Sequence, residues 1–282
     1  MQIGNWQIDT VAAGQFWHDG GVIYGIVPKS VWQSVTPADE RNRVLLAMTC
    51  LLARNGEHTV LIDAGAGEKL SPLDRASHGL VPARSLSESM LALGVAACDV
   101  DAVVLTHLHW DHAGGATTRD AHGRLITAFP NATYLVHRDE WQDANGGGFE
   151  LSGGYVADDY RPIELAGQLR LVADEHVVLP GISMIRTGGH TRGHAAVVIE
   201  SAGEGAVFMG DICPTLAHTR RLWCTAYDLD LAQTRRAKVD LLGRAADRGH
   251  WVIYDHDATT VASKVRRHAK REFETFEPRG DL

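Results

Sequence analysis

Cysteine is scarce in this chain: Cys50, Cys98, Cys213 and Cys224 are the four among 282 residues, and none are spaced Cys-x-x-Cys. That excludes a disulfide framework and a zinc ribbon, and predicts buried free thiols in a reducing cytoplasm. Cys213 is the one to watch, two residues after Asp211. Long apolar runs are also missing. No stretch approaches the ~18 residues of a membrane-crossing helix, so no membrane association is expected. The start, Met1-Gln2-Ile3-Gly4-Asn5-Trp6, has neither a basic nor an apolar signal region, and a cytoplasmic location is expected. Basic charge is short as well, with 27 Lys and Arg against 35 Asp and Glu, a net charge of −8. A nucleic-acid partner is disfavoured and a small-molecule substrate preferred, with a homodimer left open. What remains is an ordinary globular composition, 45% hydrophobic and 22% charged, with material for a sizeable core. Length alone allows one large α/β domain or two small ones.

Histidine, by contrast, is plentiful, and its placement is ordered. A short apolar run, Ala102-Val103-Val104-Leu105, reads as a buried strand and leads directly into Thr106-His107-Leu108-His109-Trp110-Asp111-His112-Ala113-Gly114-Gly115. His107 and His109 can converge on one ion from the strand end, while Asp111 and His112 can face a second. A merely histidine-rich loop is the competing reading, but His-x-His-x-Asp-His directly after a strand is too ordered for it. Further strand-end loops carry His190 within Thr187–His194, Asp211 after Ala206–Gly210, and His256 in Asp255-His256-Asp257. Seven nitrogen and oxygen donors with no thiolate suit two borderline divalent ions.

The rest of the chain supplies the scaffold. Residues 14–35 mix aromatics and glycines and predict a strand followed by an extended loop. Phe16, Trp17, Tyr24 and Trp32 would there line a pocket or fill the core. Leu45–Ala53 and Thr59–Ile62 are predicted strands, joined at Asn55-Gly56. Asp63 then follows, either orienting a ligand histidine or forming a turn. Residues 68–84 read as an irregular connector. A helix is predicted after the capping box Ser85/Glu88, with Leu86, Met90 and Leu93 inward and Gly94 at its end. Ala132–Val136 is a predicted strand, and a short helix starts at His137, where Trp141 is a core or pocket residue. Asn145–Tyr160 reads as a flexible linker or lid between two halves, roughly 1–160 and 161–282, of a single domain. Strands over Leu169–Val172, Ile182–Ile185, Ala195–Ile199 and Ala206–Met209 would open the second half. Helix is expected from Asp228 to Gly249, then a strand over Trp251–Tyr254. A C-terminal helix with Lys264, Arg266, Arg267, Lys270 and Arg271 on a solvated face completes the reading.

The order and spacing of the ligand set resemble the metallo-β-lactamase-fold hydrolases, and more closely the group of N-acyl homoserine lactonases and methyl parathion hydrolase. The likeness runs through Gly20–Trp32, Leu61–Gly67, the histidine loop, Phe129–Trp141, Gly189–His194, Gly210–Thr215 and Tyr254–Asp257. It implies an αββα sandwich of two similar halves with metals at the sheet edges. It implies that His107, His109 and His190 hold one ion, that Asp111, His112 and His256 hold the other, and that Asp211 bridges them. Zinc suits these ligands, and manganese, iron or cobalt would accept them. Two ions ~3.5–4 Å apart can share a water and lower its pKa from 15.7 towards neutrality, giving a hydroxide for ester cleavage.

The resemblance therefore implies a dinuclear hydrolase opening lactones or small esters, with Asp111 and Asp211 in the catalytic apparatus. Phosphotriester hydrolysis, glyoxalase II-like thioester hydrolysis, and a non-enzymatic metal-binding role are the alternatives. Flavo-diiron proteins carry Glu where His109 stands, which argues against redox chemistry. One departure is specific: the lactonases have a tyrosine three residues after the bridging aspartate, where this chain has Pro214. Tyr227 is the nearest downstream tyrosine. It joins Tyr24, Trp110, Trp141 and His218 as candidates for substrate contact, whereas His194 is expected to make a structural hydrogen bond.

Overall fold

The computed structural model describes residues 1–146 and 153–282. Its first sheet uses β1 (Gln2–Ile3), β2 (Trp6–Asp19), β3 (Arg43–Arg54), β4 (Thr59–Ile62), β5 (Leu80–Val81), β6 (Ala102–Val104), β9 (Thr133–His137) and β10 (Leu169–Val172). The order is β1-β2-β3-β4-β6-β9-β10, with β5 paired to β2. Between β6 and β9, the strands β7 (Thr117–Arg119) and β8 (Leu125–Thr127) form a separate ribbon. The second sheet runs in sequence order: β11 (Glu175–Leu179), β12 (Ile182–Arg186), β13 (Ala195–Ser201), β14 (Glu204–Phe208), β15 (Trp251–Ile253), β16 (Ala262–His268) and β17 (Glu272–Arg279). Along the chain these strands are interspersed with helices α1 (Gly20–Tyr24), α2 (Lys29–Trp32), α3 (Pro72–Ser77), α4 (Leu86–Ala92), α5 (Trp110–Ala113), α6 (Arg138–Gly146), α7 (Ala157–Leu165) and α8 (Leu231–Arg248).

Two-residue alternation explains how the layers stack. Val60 and Ile62 of β4 and Leu135 of β9 enter a core shared with Ile182, Val197, Phe208 and Ile253 of the second sheet. The intervening Leu61, Val103, Tyr134 and Val136 face outward, against Leu86 and Met90 of α4 and Ile163 of α7. Val207 and Val252 point the other way, towards Leu241 and Leu242 of α8. Central strands buried on both faces read as unbroken apolar runs, as they do here. The result is a sandwich of two sheets with helices outside, the expected αββα arrangement. Parallel pairs β4·β6, β6·β9 and β14·β15 place the ends of β4, β6, β14 and β15 along one rim. From that rim emerge the loops bearing Asp63, His107, Asp211 and His256.

Several expectations are corrected. Residues 14–35 are not strand plus extended loop: β2 ends at Asp19, whose Oδ1 accepts from Gly21 N and Val22 N at 2.7 and 3.0 Å and starts α1. The connector 68–84 is partly regular, since Ser71 caps α3 and β5 joins the sheet. Leu169–Val172 pairs in parallel with β9 and so belongs to the first sheet and does not open the second. Most of the expected linker lies outside the described residues or in ordered structure, because α7 starts at Ala157. The basic C-terminal segment is a hairpin, not a helix. Arg266 pairs with Glu274 across the strands at 2.7 Å, and Val265 turns into the core. Its charges hid a period of two. The capping box at Ser85/Glu88 and the αL cap at Gly249 (φ 69°) are both present.

Candidate metal centre

The loop after β6 turns at once into α5, so that His107, His109, Asp111 and His112 project into one space. Its path is dictated by close backbone approach: a Cβ on Gly115 would lie 2.1 Å from Ala64 O. No side chain fits there. Asp63, at the end of β4, adopts a left-handed φ of 56°. In that conformation its carboxylate accepts from Thr106 N at 2.8 Å, Thr106 Oγ1 at 2.9 Å and His112 Nδ1 at 2.9 Å. Asp63 therefore bonds His112 as well as shaping the turn. Replacing it with Ala should weaken metal affinity about 10–100-fold, as for other groups that aim a ligand ring. Titration with zinc under a competing chelator measures this, and an unchanged affinity would remove Asp63 from the site.

Two groups of donor atoms result. His107 Nε2 and His190 Nε2 lie 3.1 and 3.2 Å from His109 Nδ1. Asp211 Oδ2 is 3.1 Å from His190 Nε2 and 3.9 Å from His107 Nε2. Zinc–nitrogen bonds of 2.0–2.1 Å imply tetrahedral edges of about 3.3 Å, comparable with this spacing. The other oxygen, Asp211 Oδ1, is 3.2 Å from His112 Nε2 and 3.1 Å from His256 Nε2. Asp111 approaches the same pair, its oxygens 3.9 Å from His112 Nε2 and 3.6 Å from His256 Nε2. One carboxylate thus faces both groups. Among the described residues, His107, His109, His190 and Asp211 form one cluster that can hold an ion, and His112, Asp211, Asp255 and His256 form another, with Asp111 at its margin.

Four of the five rings are aimed from behind. His190 Nδ1 donates to Asp228 at 2.9 Å, His256 Nδ1 to Ala47 O at 2.7 Å, and His107 Nδ1 lies 3.1 Å from Thr106 Oγ1. These bonds fix the tautomers that leave His190, His256, His112 and His107 with Nε2 towards the centre. His194 accepts from Asp211 N at 3.0 Å and bonds Thr187 Oγ1 at 2.6 Å, the expected structural role. Buried His112 Nε2, Asp211 Oδ1 and both Asp255 oxygens have no hydrogen-bond partner. Orphaned atoms of this kind are costly unless a cation satisfies them. The residues fit two divalent ions.

The electrostatics divide these residues. Burial, together with neighbouring imidazoles, pushes His107 and His109 well below the usual histidine range, which keeps them neutral donors. Burial also opposes charge on His256, but Asp255 and Asp211 override it and raise it to about 10. Burial would raise Asp211, yet His190, His112 and His256 hold it well below the carboxylate range. The centre is built around a permanent anion.

A pocket of about 360 Å³ opens over this centre, lined by Phe16, His18, Ile23, Leu46, His78, Trp110, Asp111, Pro214 and Tyr227 among others. Tyr227 is half exposed. Its hydroxyl shares a 2.7 Å hydrogen bond with His18 Nε2, and the rings stack at 5.6 Å. Trp110 and Tyr227 thus line this pocket. Three other candidates do not. Trp141 packs in the outer core against Tyr160. Tyr24 is fully buried between Trp32 and His218, bonded to Thr36 Oγ1 at 2.5 Å. His218 is buried as well, bonded to Thr215 Oγ1 at 2.8 Å and donating to Ile23 O at 3.0 Å. Burial and the Lys238 charge lower it to about 3, so it is a neutral brace between the loop after Asp211 and α1.

Sequence reasoning missed Asp228, Glu140, Asp255 and His18. Glu140 is fully buried and accepts from Leu108 N at 2.9 Å and Thr191 Oγ1 at 2.5 Å, tying the histidine loop to the His190 loop. An acidic residue early in a helix gives no sign of that. Asp255 stood in view, within Asp-His-Asp.

Residues 45–275 match the model of the metallo-beta-lactamase superfamily. The chain belongs to that superfamily. It is 30% identical to an N-acyl homoserine lactonase, AttM, of Azorhizobium caulinodans over 171 residues, 59% of this chain and 61% of that one. AttM of Rhizobium radiobacter is 28% identical over 227 residues, 76% of this chain and 82% of that one. Among solved structures, a probable metal-dependent hydrolase from Staphylococcus aureus superposes with a TM-score of 0.91 at 31% identity over 100% of both chains. The dizinc quorum-quenching lactonase AidC gives 0.79 at 17% identity, over 98% of this chain and 95% of that one. At that identity the likeness concerns the fold alone.

Proposed function

We propose that this superfamily member is a dinuclear, metal-dependent hydrolase of lactones or related small esters. In this reading His107, His109 and His190 would hold one ion, Asp111, His112 and His256 would hold the second, and Asp211 would be shared between them. The observation that carries it is the division of the Asp211 carboxylate, one oxygen within 3.1–3.2 Å of each neighbouring imidazole in the second group and the other 3.1 Å from His190. The ligands suit zinc, and manganese, iron or cobalt also fit them. When bound, two such ions lower the pKa of water and polarise an ester carbonyl.

The chain's own residues do the rest. Phe16, Ile23, Leu46 and Trp110 give the pocket apolar walls for an acyl chain, within the size range of small-molecule sites. His18 holds the Tyr227 hydroxyl at the pocket wall, where it takes the place left by Pro214 and donates to the substrate's carbonyl or leaving oxygen. Asp111, lining the same pocket, takes the proton given up by the attacking water and passes it to the leaving alkoxide. The lactonase activity named for the AttM relatives supports this substrate class.

Proton release by metal-replete protein on γ-lactones of rising acyl length, against a phosphotriester, tests the reading. A lactone kcat/KM above about 10⁴ M⁻¹s⁻¹ is expected. Faster phosphotriester turnover, or background rates on every lactone, would overturn it.

A further inference from the structure

Asp255 is unlike the other acidic residues of the centre. It is 1% exposed, and neither of its oxygens has a hydrogen-bond partner. Its Oδ2 lies 3.8 Å from His256 Nε2, and a ligand atom of Asp255 falls within 4.8 Å of those of His112, Asp211 and His256. The backbone allows it no escape to water. Thr49 N donates to Asp255 O at 2.9 Å and Ala47 N to His256 O at 3.1 Å, pinning the segment against β3 of the opposite sheet. A buried, unpartnered carboxylate aimed at two imidazoles and a second carboxylate needs a positive counterpart.

We infer that Asp255 is an additional ligand of the second ion, closing that position from its buried side opposite the pocket-facing Asp111. This rests on the dinuclear reading above and deepens it. The two positions then differ in chemistry. The first has three imidazoles and the shared Asp211. The second has two imidazoles and three carboxylates, Asp111, Asp211 and Asp255. An oxygen-rich, five-donor position favours a harder ion of higher coordination number, such as manganese(II), whereas the nitrogen-rich position suits zinc. The inference is thus a mixed-metal preference built into the protein.

The test reads metal, not turnover. Wild-type protein and Asp255→Asn are dialysed against zinc with manganese in large excess, to offset zinc's generally higher affinity, and bound metal is counted by mass spectrometry and manganese paramagnetic resonance. Wild type should keep two ions, with manganese at one position. Asp255→Asn should retain the first ion and lose affinity for the second at least about tenfold. Asparagine keeps the shape and can donate to Asp211 as a protonated acid would. Unchanged manganese binding in Asp255→Asn would therefore overturn the inference while leaving the dinuclear reading intact. If that variant fails to fold, the wild-type competition decides. Manganese confined to one position supports the inference, and equal zinc preference at both overturns it. Fewer than two ions in wild type would sink the dinuclear reading along with it.

Discussion

Asp211→Ala is expected to lower kcat/KM by about a thousandfold or more, which corresponds to roughly 4 kcal/mol of transition-state stabilisation. The reason is geometric. Asp211 is the one carboxylate whose two oxygens reach both groups, at 3.1 Å from His190 and at 3.2 and 3.1 Å from His112 and His256. Without it, two dications would face each other with no anion between them, and their repulsion would expel one. Metal content should therefore fall from two ions towards one, in step with activity. The fold should survive, because the Asp211 side chain packs against the site and takes no place among the core clusters. Steady-state kinetics on metal-replete protein, with metal counted on the same sample, checks both halves. Full turnover in this variant would exclude a bridging role.

Chelation is expected to lower the melting temperature by about 10 °C. An ion held at a thousand times its dissociation constant stabilises the folded state by about 4.1 kcal/mol. In a chain of this size each kcal/mol shifts the melting point by roughly 2–4 °C. Removal also leaves His112 Nε2, Asp211 Oδ1 and both Asp255 oxygens buried without partners. Scanning calorimetry before chelation, after it, and after zinc is restored would reveal the shift and its reversal. A melting point indifferent to all three would mean that the groups do not bind metal in the folded protein.

What could be read beforehand divides along a physical line. His107, His109, Asp111 and His112 sit on one tight loop, so their spacing alone announces a site. The central strands could be read because burial on both faces leaves runs such as Val60–Ile62 and Ala206–Phe208 almost wholly apolar. The residues that escaped act across the fold. Asp228 reaches His190, and Glu140 reaches Leu108 and Thr191, from elements whose packing no local pattern specifies. The C-terminal hairpin was misread for a related reason. Arg267 faces Asp247 of α8 at 2.6 Å and Arg266 faces Glu274, so its basic residues find partners by tertiary contact. A run of charges looks the same on a solvated helix. Tyr24 and His218 illustrate the converse, since polar aromatic residues near a site can be wholly consumed by bracing its loops.

The rim that joins the two sheets also sets a timetable. Protein synthesis runs from the N-terminus at about 5–20 residues per second. By Asp211 the ribosome has made every side chain of the histidine-rich group, but His256, and Asp255 beside it, lie some 45 residues further on. The central strand β15 comes just before them and the closing β16–β17 hairpin after. A nascent chain therefore has the parts for one position several seconds before it has the parts for the other. Metal capture during biosynthesis would follow that order, with the nitrogen-rich position competing first for whatever ion the cell has to spare.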